Sequence, residues 1–276
     1  MRLSNGKIFH VHGHRGSRGT HPENTFPAFN EALTAGADYI EIDVHLTRDQ
    51  VPVVIHDPAL SNRHYLDAGM PMLVPLSVCD LSASDLKRFD AGSVPNLEFP
   101  QQMRCPQETI PMLEQVVCWL AKRQTSCGLN IEIKCPSTSL GREGVLPAET
   151  VARQIVQVLI TYHMEQRSII QSFDLSVLAQ VQSLLPAGVR AALFESPCDY
   201  FKKTLAVGAT YCSPHYSLID KSLINKAHAT GLRLVPWTVN RVSDWGRLLD
   251  WGVDGLITDY PRRLVQYLKE RRLIGA

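Results

Sequence analysis

The residues best equipped for chemistry sit at or near the ends of four short apolar runs in this 276-residue chain. Ile8-Phe9-His10-Val11 leads into Gly13-His14-Arg15-Gly16. Tyr39-Ile40-Glu41-Ile42-Asp43-Val44, Val53-Val54-Ile55-His56-Asp57 and Leu129-Asn130-Ile131-Glu132-Ile133-Lys134 follow the same plan. Each run is short and rich in β-branched residues, which predicts a buried strand. An isolated ion in an apolar core costs several kcal/mol (roughly), so buried strands rarely carry unpaired charge. The imidazoles of His14 and His56, the carboxylates of Glu41, Asp43 and Glu132, and the cations Arg15 and Lys134 are therefore predicted to share one polar pocket. That inventory suits metal-assisted attack on a phosphodiester.

The elements that must position these groups alternate between strand and helix. After a strand over 8–14 and a loop from Ser17 to Asn24, Thr25 caps a helix that runs to about Ala35 and ends at Gly36. A strand over 39–47 comes next. The stretch from Asp43 to Val53 is too short for a crossover helix, so a hairpin is expected, with Asp49-Gln50 as a two-residue turn. Counted back from that turn, Val44 faces Ile55 and Asp43 faces His56. Residues 58–110 lose clean periodicity and read as an inserted cap segment with few apolar positions for a core of its own. From Pro111, helices at about 111–123, 148–163, 174–185, 198–206, 220–230, 241–251 and 261–271 alternate with strands. Leaving out the hairpin return, the strands are 8–14, 39–44, 128–134, 168–172, 189–194, 210–213, 232–237 and 254–258. Eight strands with intervening helices predict an α/β fold, a (β/α)8 TIM barrel spanning 1–276 as a single domain, whose active site lies at the C-terminal strand ends. A doubly wound open sheet would give no reason for polar clusters on so many strand ends.

Composition narrows the function classes. The chain is 45% hydrophobic and 20% charged, as ordinary globular domains are. A net charge of +1 makes no electrostatic case for nucleic acid or an anionic membrane surface. No stretch approaches the ~18 apolar residues of a membrane span. Met1 to Lys7 enter the first strand directly, without the apolar stretch of a secretory signal. Cys79, Cys105, Cys118, Cys127, Cys135, Cys198 and Cys212 are odd in number and form no CxxC pair, which suggests neither a disulfide framework nor a zinc site. Reduced thiols in the cytoplasm are the expectation. Nothing in the composition specifies an oligomeric state.

The order of motifs carries a further signal. His14-Arg15-Gly16, Pro22-Glu23-Asn24-Thr25, Glu41-Ile42-Asp43, His56-Asp57, Ile110-Pro111-Met112-Leu113-Glu114, Glu132-Ile133-Lys134, Gln171-Ser172-Phe173, Trp237-Thr238-Val239-Asn240 and Asp254-Gly255-Leu256-Ile257-Thr258-Asp259-Tyr260-Pro261 resemble, in sequence order, the glycerophosphodiester phosphodiesterase family. The match runs from the first strand to the last helix. Each motif alone is weak; their order makes coincidence very improbable. The resemblance implies a barrel enzyme that cleaves small-molecule glycerophosphodiesters to sn-glycerol 3-phosphate and an alcohol, using a divalent cation. The inserted segment is the least familiar part, which bears on substrate range more than on the reaction.

Physical roles can be set beside that resemblance. Alternate strand residues face one side, so Glu41 and Asp43 point inward and Ile40 and Ile42 toward the helices; Glu132 adds a third carboxylate from the adjacent strand. These three are the expected metal ligands, and oxygen-only ligation selects Mg²⁺ or Ca²⁺. The bland alternative is that they only pair with Arg15 and Lys134 as buried salt bridges. Asp38 and Asp49 read as solvated loop acids. His14 and His56 are the expected acid–base pair, with the base assigned to His14 and the acid to His56; the reverse assignment serves the same chemistry. His10, His12, His21, His45, His64, His163, His215 and His228 read as structural donors, with His12 and His45 bordering the site. Arg15 and Lys134 clamp phosphate. Trp237 packs against the glycerol or alcohol, or else is a barrel-rim core residue. Glu23 and Asn24 brace the first loop, Asp259 caps the last helix, and Gly13 and Gly16 permit a tight bend. The glycerol 2-hydroxyl attacks phosphorus and water then opens the cyclic phosphate; direct attack by water is the alternative. The segment 58–110 is expected to act as a lid that shapes the alcohol pocket, or as a brace over the rim. The rival functions are a lysophospholipase D-like or sphingomyelinase D-like phosphodiesterase and a non-catalytic phosphoester-binding barrel.

Overall fold

The apolar runs become eight parallel strands of one sheet in the computed structural model, which describes residues 1–4, 6–134 and 146–275. The strands are β1 (His10–Gly13), β2 (Tyr39–Leu46), β3 (Gly128–Ile133), β4 (Ser168–Ser172), β5 (Val189–Phe194), β6 (Tyr211–Pro214), β7 (Arg233–Leu234) and β8 (Gly255–Thr258). The helices are α1 (Phe26–Thr34), α2 (Leu113–Ala121), α3 (Ala148–Thr161), α4 (Leu175–Leu184), α5 (Tyr200–Ala206), α6 (Lys221–Ala229), α7 (Val242–Trp251) and α8 (Pro261–Glu270). Strands pair in the order β7-β6-β5-β4-β3-β2-β1-β8. Backbone bonds from Asp254 N to Leu234 O (2.9 Å) and from Ile257 N to Pro236 O (3.0 Å) bring β8 back against the β7 segment. The α/β TIM barrel expected from the strand count is therefore the fold. β7 is shorter than the expected 232–237 because Pro236 has no N–H to extend the ladder. Cys135 falls outside the described residues; Cys79, Cys105, Cys118, Cys127, Cys198 and Cys212 are free thiols.

Alternation decides which residues meet the helices and which meet the barrel interior. Ile40, Ile42 and Val44 of β2 and Leu129, Ile131 and Ile133 of β3 belong to the main apolar core. The residues between them, Glu41, Asp43, Asn130 and Glu132, are buried polar groups. In the β2–β3 register Asp43 pairs with Glu132 and Glu41 with Asn130, so the carboxylates of two strands face one another across neighbouring backbones. Helices cover the outer faces with stripes at three- and four-residue spacing, such as Val151, Ile155 and Leu159 of α3. Burying each such side chain contributes about 1.5–3 kcal/mol, and it is this outer layer that holds the charged interior together. Gly36, at φ +84° just after α1, takes the left-handed position that ends the helix as expected.

One sequence expectation needs correction. The strand Pro52–Val54 returns antiparallel to β2, as a hairpin, but its register is Val44 with Val54, His45 with Val53 and Leu46 with Pro52. That is one residue away from the expected pairing, and Asp43 O accepts from Ile55 N at 2.9 Å. The turn holds three residues, Arg48-Asp49-Gln50, with Thr47 N bonded to Val51 O and Gln50 at φ +59°. A two-residue turn would favour positive φ at both Asp49 and Gln50, whereas the longer loop asks it only of Gln50. Asp49 also anchors the loop by accepting from the Thr47 hydroxyl at 2.6 Å and Ala83 N at 3.0 Å. Residues 58–110 pack against that hairpin. Leu60, Tyr65, Met72, Val78, Leu86, Phe89 and Ile110 form a small buried cluster with Val53 and Ile55 of the hairpin. The apolar positions are too scattered to show a period, yet they converge because the hairpin supplies part of their core.

Candidate active site

Both histidines are held by a carboxylate at Nδ1. His14, just past β1, has Nδ1 2.6 Å from Asp259 Oδ1. His56 has Nδ1 2.7 Å from Asp57 Oδ1. A carboxylate accepts a proton here, so Nδ1 carries the hydrogen and Nε2 is left for other work. Burial lowers the pKa of His14, and the Asp259 charge only partly offsets it. Burial would raise the Asp259 carboxyl, but the His14 contact, Arg18 and the Asn240 amide hold it below its usual range. Asp57 is lowered first by its hydrogen bond from His56. Asp259 thus has a different task from the helix cap expected of it: α8 begins at Pro261 with Tyr260 at the cap position and no side-chain cap bond.

Glu41, Asp43 and Glu132 offer ligand atoms that all lie within 4.8 Å of one another. Glu41 Oε2 accepts from Arg15 N at 2.8 Å and Oε1 from Gln171 Nε2 at 3.2 Å. Asp43 Oδ2 accepts from Asn24 Nδ2 at 2.9 Å. Lys134 Nζ lies 3.1 Å from Asp43 Oδ1 and 2.5 Å from Glu132 Oε1, so one ammonium serves both buried oxygens. Three carboxylates face two cations, Arg15 and Lys134, so the cluster is short of positive charge. Burial, with the neighbouring acids, pushes the Glu41 carboxyl well up, and Glu132 is raised chiefly by burial too. Asp43 is driven well down despite burial because Lys134 and Arg15 flank it. Three clustered carboxylates with surplus negative charge are what a hard divalent cation would neutralise, so the donor set fits one.

The first loop is built to aim Arg15. Arg15 sits at φ +50° and Gly16 at φ +87°; a Cβ on Gly16 would lie 2.6 Å from the Ala28 carbonyl carbon, so only glycine fits. Arg15 Nη1 donates to Glu23 Oε1 at 2.8 Å, and Arg18 Nε donates to Glu23 Oε2 at 2.7 Å. Burial would raise Glu23, but Arg15 and Arg18 bring it down to about 2. Glu23 and Asn24 are braces, as the sequence reading had it. The inserted segment grips the same loop: Glu98 pairs with Arg18 at 2.9 Å, Gln102 Nε2 donates to Arg18 O at 2.7 Å, and Met103 N donates to Thr20 O at 2.8 Å.

These groups line a cavity of about 390 Å³ at the C-terminal end of the barrel. His14, Arg15, Glu41, His56, Glu132, Lys134 and Trp237 all contribute to its wall, with Asp43 behind them against Arg15 and Lys134. The wall also takes in Arg18, Gln171, Phe173, Leu193, Glu195, Thr238 and Ile257, to which the sequence reading gave no role. Phe173 and Glu195 each follow directly on a predicted strand, so the rule placing active sites at strand ends was a usable signal for both. Among the described residues no member of 58–110 lines the cavity. No helix is long and apolar enough to cross a membrane among the described residues.

Comparison with known proteins agrees with this geometry. Residues 14–263 match the model of the glycerophosphoryl diester phosphodiesterase family. A glycerophosphodiester phosphodiesterase of Bacillus subtilis (strain 168) is 34% identical over 271 residues, covering 94% of this chain and 86% of the relative. A crystal structure from Silicibacter pomeroyi DSS-3, provisionally described as a glycerophosphoryl diester phosphodiesterase, superposes with a TM-score of 0.90 at 27% identity, covering 98% of this chain and 96% of that one. An Oleispira antarctica phosphodiesterase, solved with its product sn-glycerol-3-phosphate, gives a TM-score of 0.77 at 27% identity, with 95% and 97% covered. With a match that reaches from His14 at the end of β1 into α8, the chain belongs to the glycerophosphoryl diester phosphodiesterase family.

Proposed function

We propose that the protein hydrolyses glycerophosphodiesters to sn-glycerol 3-phosphate and an alcohol, with the two histidines as acid and base and a divalent cation on Glu41, Asp43 and Glu132. The observation that carries this reading is the joint placement, around one cavity, of two imidazoles tied at Nδ1 and a carboxylate cluster short of positive charge. Glu41, Asp43 and Glu132 would hold the cation, Mg²⁺ or Ca²⁺ by the preference of oxygen ligands, and when bound it would offset the negative charge of the phosphodiester. Arg15 and Lys134 clamp the phosphate oxygens. His14, kept neutral by burial, takes the proton of the glycerol 2-hydroxyl as its oxygen attacks phosphorus. The bond from phosphorus to the alcohol oxygen breaks, and His56 gives that oxygen a proton. Water then opens the cyclic phosphate with the histidines' roles exchanged, which restores both. The inserted segment serves as a brace that holds the first loop, and through it Arg15, in place. Free thiols fit a cytoplasmic setting.

The test is release of glycerol phosphate from a panel of glycerophosphodiesters before and after treatment with EDTA, with add-back of Mg²⁺ or Ca²⁺. The reading expects activity that is lost on chelation and restored by one of the two ions. Purified protein that releases no glycerol phosphate from any ester with either ion would leave a phosphoester-binding barrel instead.

A further inference from the structure

The cavity wall divides by strand. β8, β1, β2 and β3 and the loops that leave them carry His14, Arg15, the carboxylate cluster and Lys134, while the consecutive strands β4, β5, β6 and β7 end in Phe173, Glu195, His215 and the Trp237 segment. The second half is aromatic. Phe173 is 41% exposed and meets Trp237 edge-on, with ring centroids 5.4 Å apart and planes at 88°. Trp237 is fixed by its Nε1 bond to Ser213 O at 2.9 Å and by the His215 ring at 5.2 Å. Between them in strand order stands Glu195, exposed, which makes no ion pair or hydrogen bond among the described residues. The cations on the cavity wall are already engaged: Arg15 by Glu23 and Asp43, Arg18 by Glu23 and Glu98, Lys134 by Asp43 and Glu132.

We propose that Glu195, with the faces of Trp237 and Phe173, forms a subsite for a positively charged alcohol, so that the protein prefers diesters whose alcohol carries an ammonium group, as in choline or ethanolamine, over diesters of neutral polyols. The inference rests on the hydrolase reading above. An ammonium is drawn both to an aromatic face, tryptophan most strongly, and to an unpaired carboxylate. Arg15 and Lys134 draw the phosphate to the charged half of the cavity, which leaves the alcohol to the aromatic half. A neutral alcohol would find the same rings but nothing for Glu195 to do.

The experiment compares kcat/KM for glycerophosphocholine and glycerophosphoglycerol in the wild type, Glu195→Gln and Glu195→Lys. Exposed cation–π and ion-pair contacts imply that Glu195→Gln lowers the choline-to-glycerol ratio about 5-fold, and that charge reversal in Glu195→Lys lowers it on the order of 20-fold. Because the carboxylate is exposed, the wild-type ratio should also shrink with added salt. Choline itself should compete with glycerophosphocholine in the wild type and weaken as a competitor in Glu195→Gln. Measurable turnover of both esters with an unmoved ratio in the two variants would overturn the subsite and leave the hydrolase intact. Absence of turnover of either ester by the metal-supplied wild type would overturn the hydrolase reading and the subsite with it.

Discussion

Replacing Asp259 with Asn should disable His14 while leaving the barrel folded. The Asp259 carboxylate accepts on both oxygens: His14 Nδ1 at 2.6 Å on Oδ1 and Asn240 Nδ2 at 2.6 Å on Oδ2. An amide has one accepting oxygen and one donating nitrogen, so it can satisfy only one of these donors. Asn240 cannot turn over to help. Its own Oδ1 already accepts from Asp259 N at 2.9 Å and the Thr258 hydroxyl at 3.2 Å, which keeps its NH₂ aimed at position 259. The new oxygen is therefore drawn to Asn240, and His14 Nδ1 meets a donor. The ring proton then moves to Nε2, the nitrogen that must receive the substrate proton. Loss of an oriented general base typically costs ~10²–10⁴ in rate, and with residual population of the right tautomer we expect kcat to fall by about 10²–10³. The pH dependence has a defined sign. Asp259 raises the His14 pKa against burial; without its charge the pKa falls further, and the acidic limb of kcat/KM, where the base becomes protonated, moves to lower pH. Rate–pH profiles on an alkyl and an aryl diester, with thermal unfolding as the fold check, measure both effects. A variant that keeps kcat/KM within about threefold and leaves the acidic limb in place would refute the dependence of His14 on Asp259.

Other outcomes follow from the same geometry. Glu41→Gln, Asp43→Asn and Glu132→Gln should each cut turnover by orders of magnitude and weaken Mg²⁺ or Ca²⁺ binding in calorimetric titrations; wild-type activity that survives exhaustive chelation would remove the metal from the mechanism. His56→Ala should hurt an alkyl ester far more than a p-nitrophenyl ester, because a good leaving group needs little proton donation, whereas His14→Ala should be slow on both by ~10²–10⁴-fold. Equal losses on both esters in both variants would leave the division of roles without support. Shortening the inserted segment between Asp67 and Asp80 removes Met72 and Val78 from its small core and should lower activity on every ester together through the first loop; substrate ratios that shift instead would make the segment a selector.

Sequence alone determined much of the barrel and the chemical inventory of its site. Period-two alternation in β2 and β3 is a local property, so it was enough to turn Glu41, Asp43 and Glu132 inward and Ile40, Ile42, Leu129 and Ile131 toward the helices. The length between Asp43 and Val53 was enough to require a hairpin, but its register depended on how Asp49 is anchored by Ala83, a contact that lies outside the turn. The partner of His14 was beyond local reading altogether. Asp259 lies 245 residues away in sequence and meets His14 only because β8 closes against β1. The same holds for the inserted segment, whose scattered apolar residues acquire a core by packing on Val53 and Ile55, and for Glu195, which faces the cavity because β5 occupies its place in the ring. Residue type and spacing report what a strand presents on each face; which faces meet is decided by closure of the whole chain, where contacts distant in sequence form together and offset the entropy of ordering it.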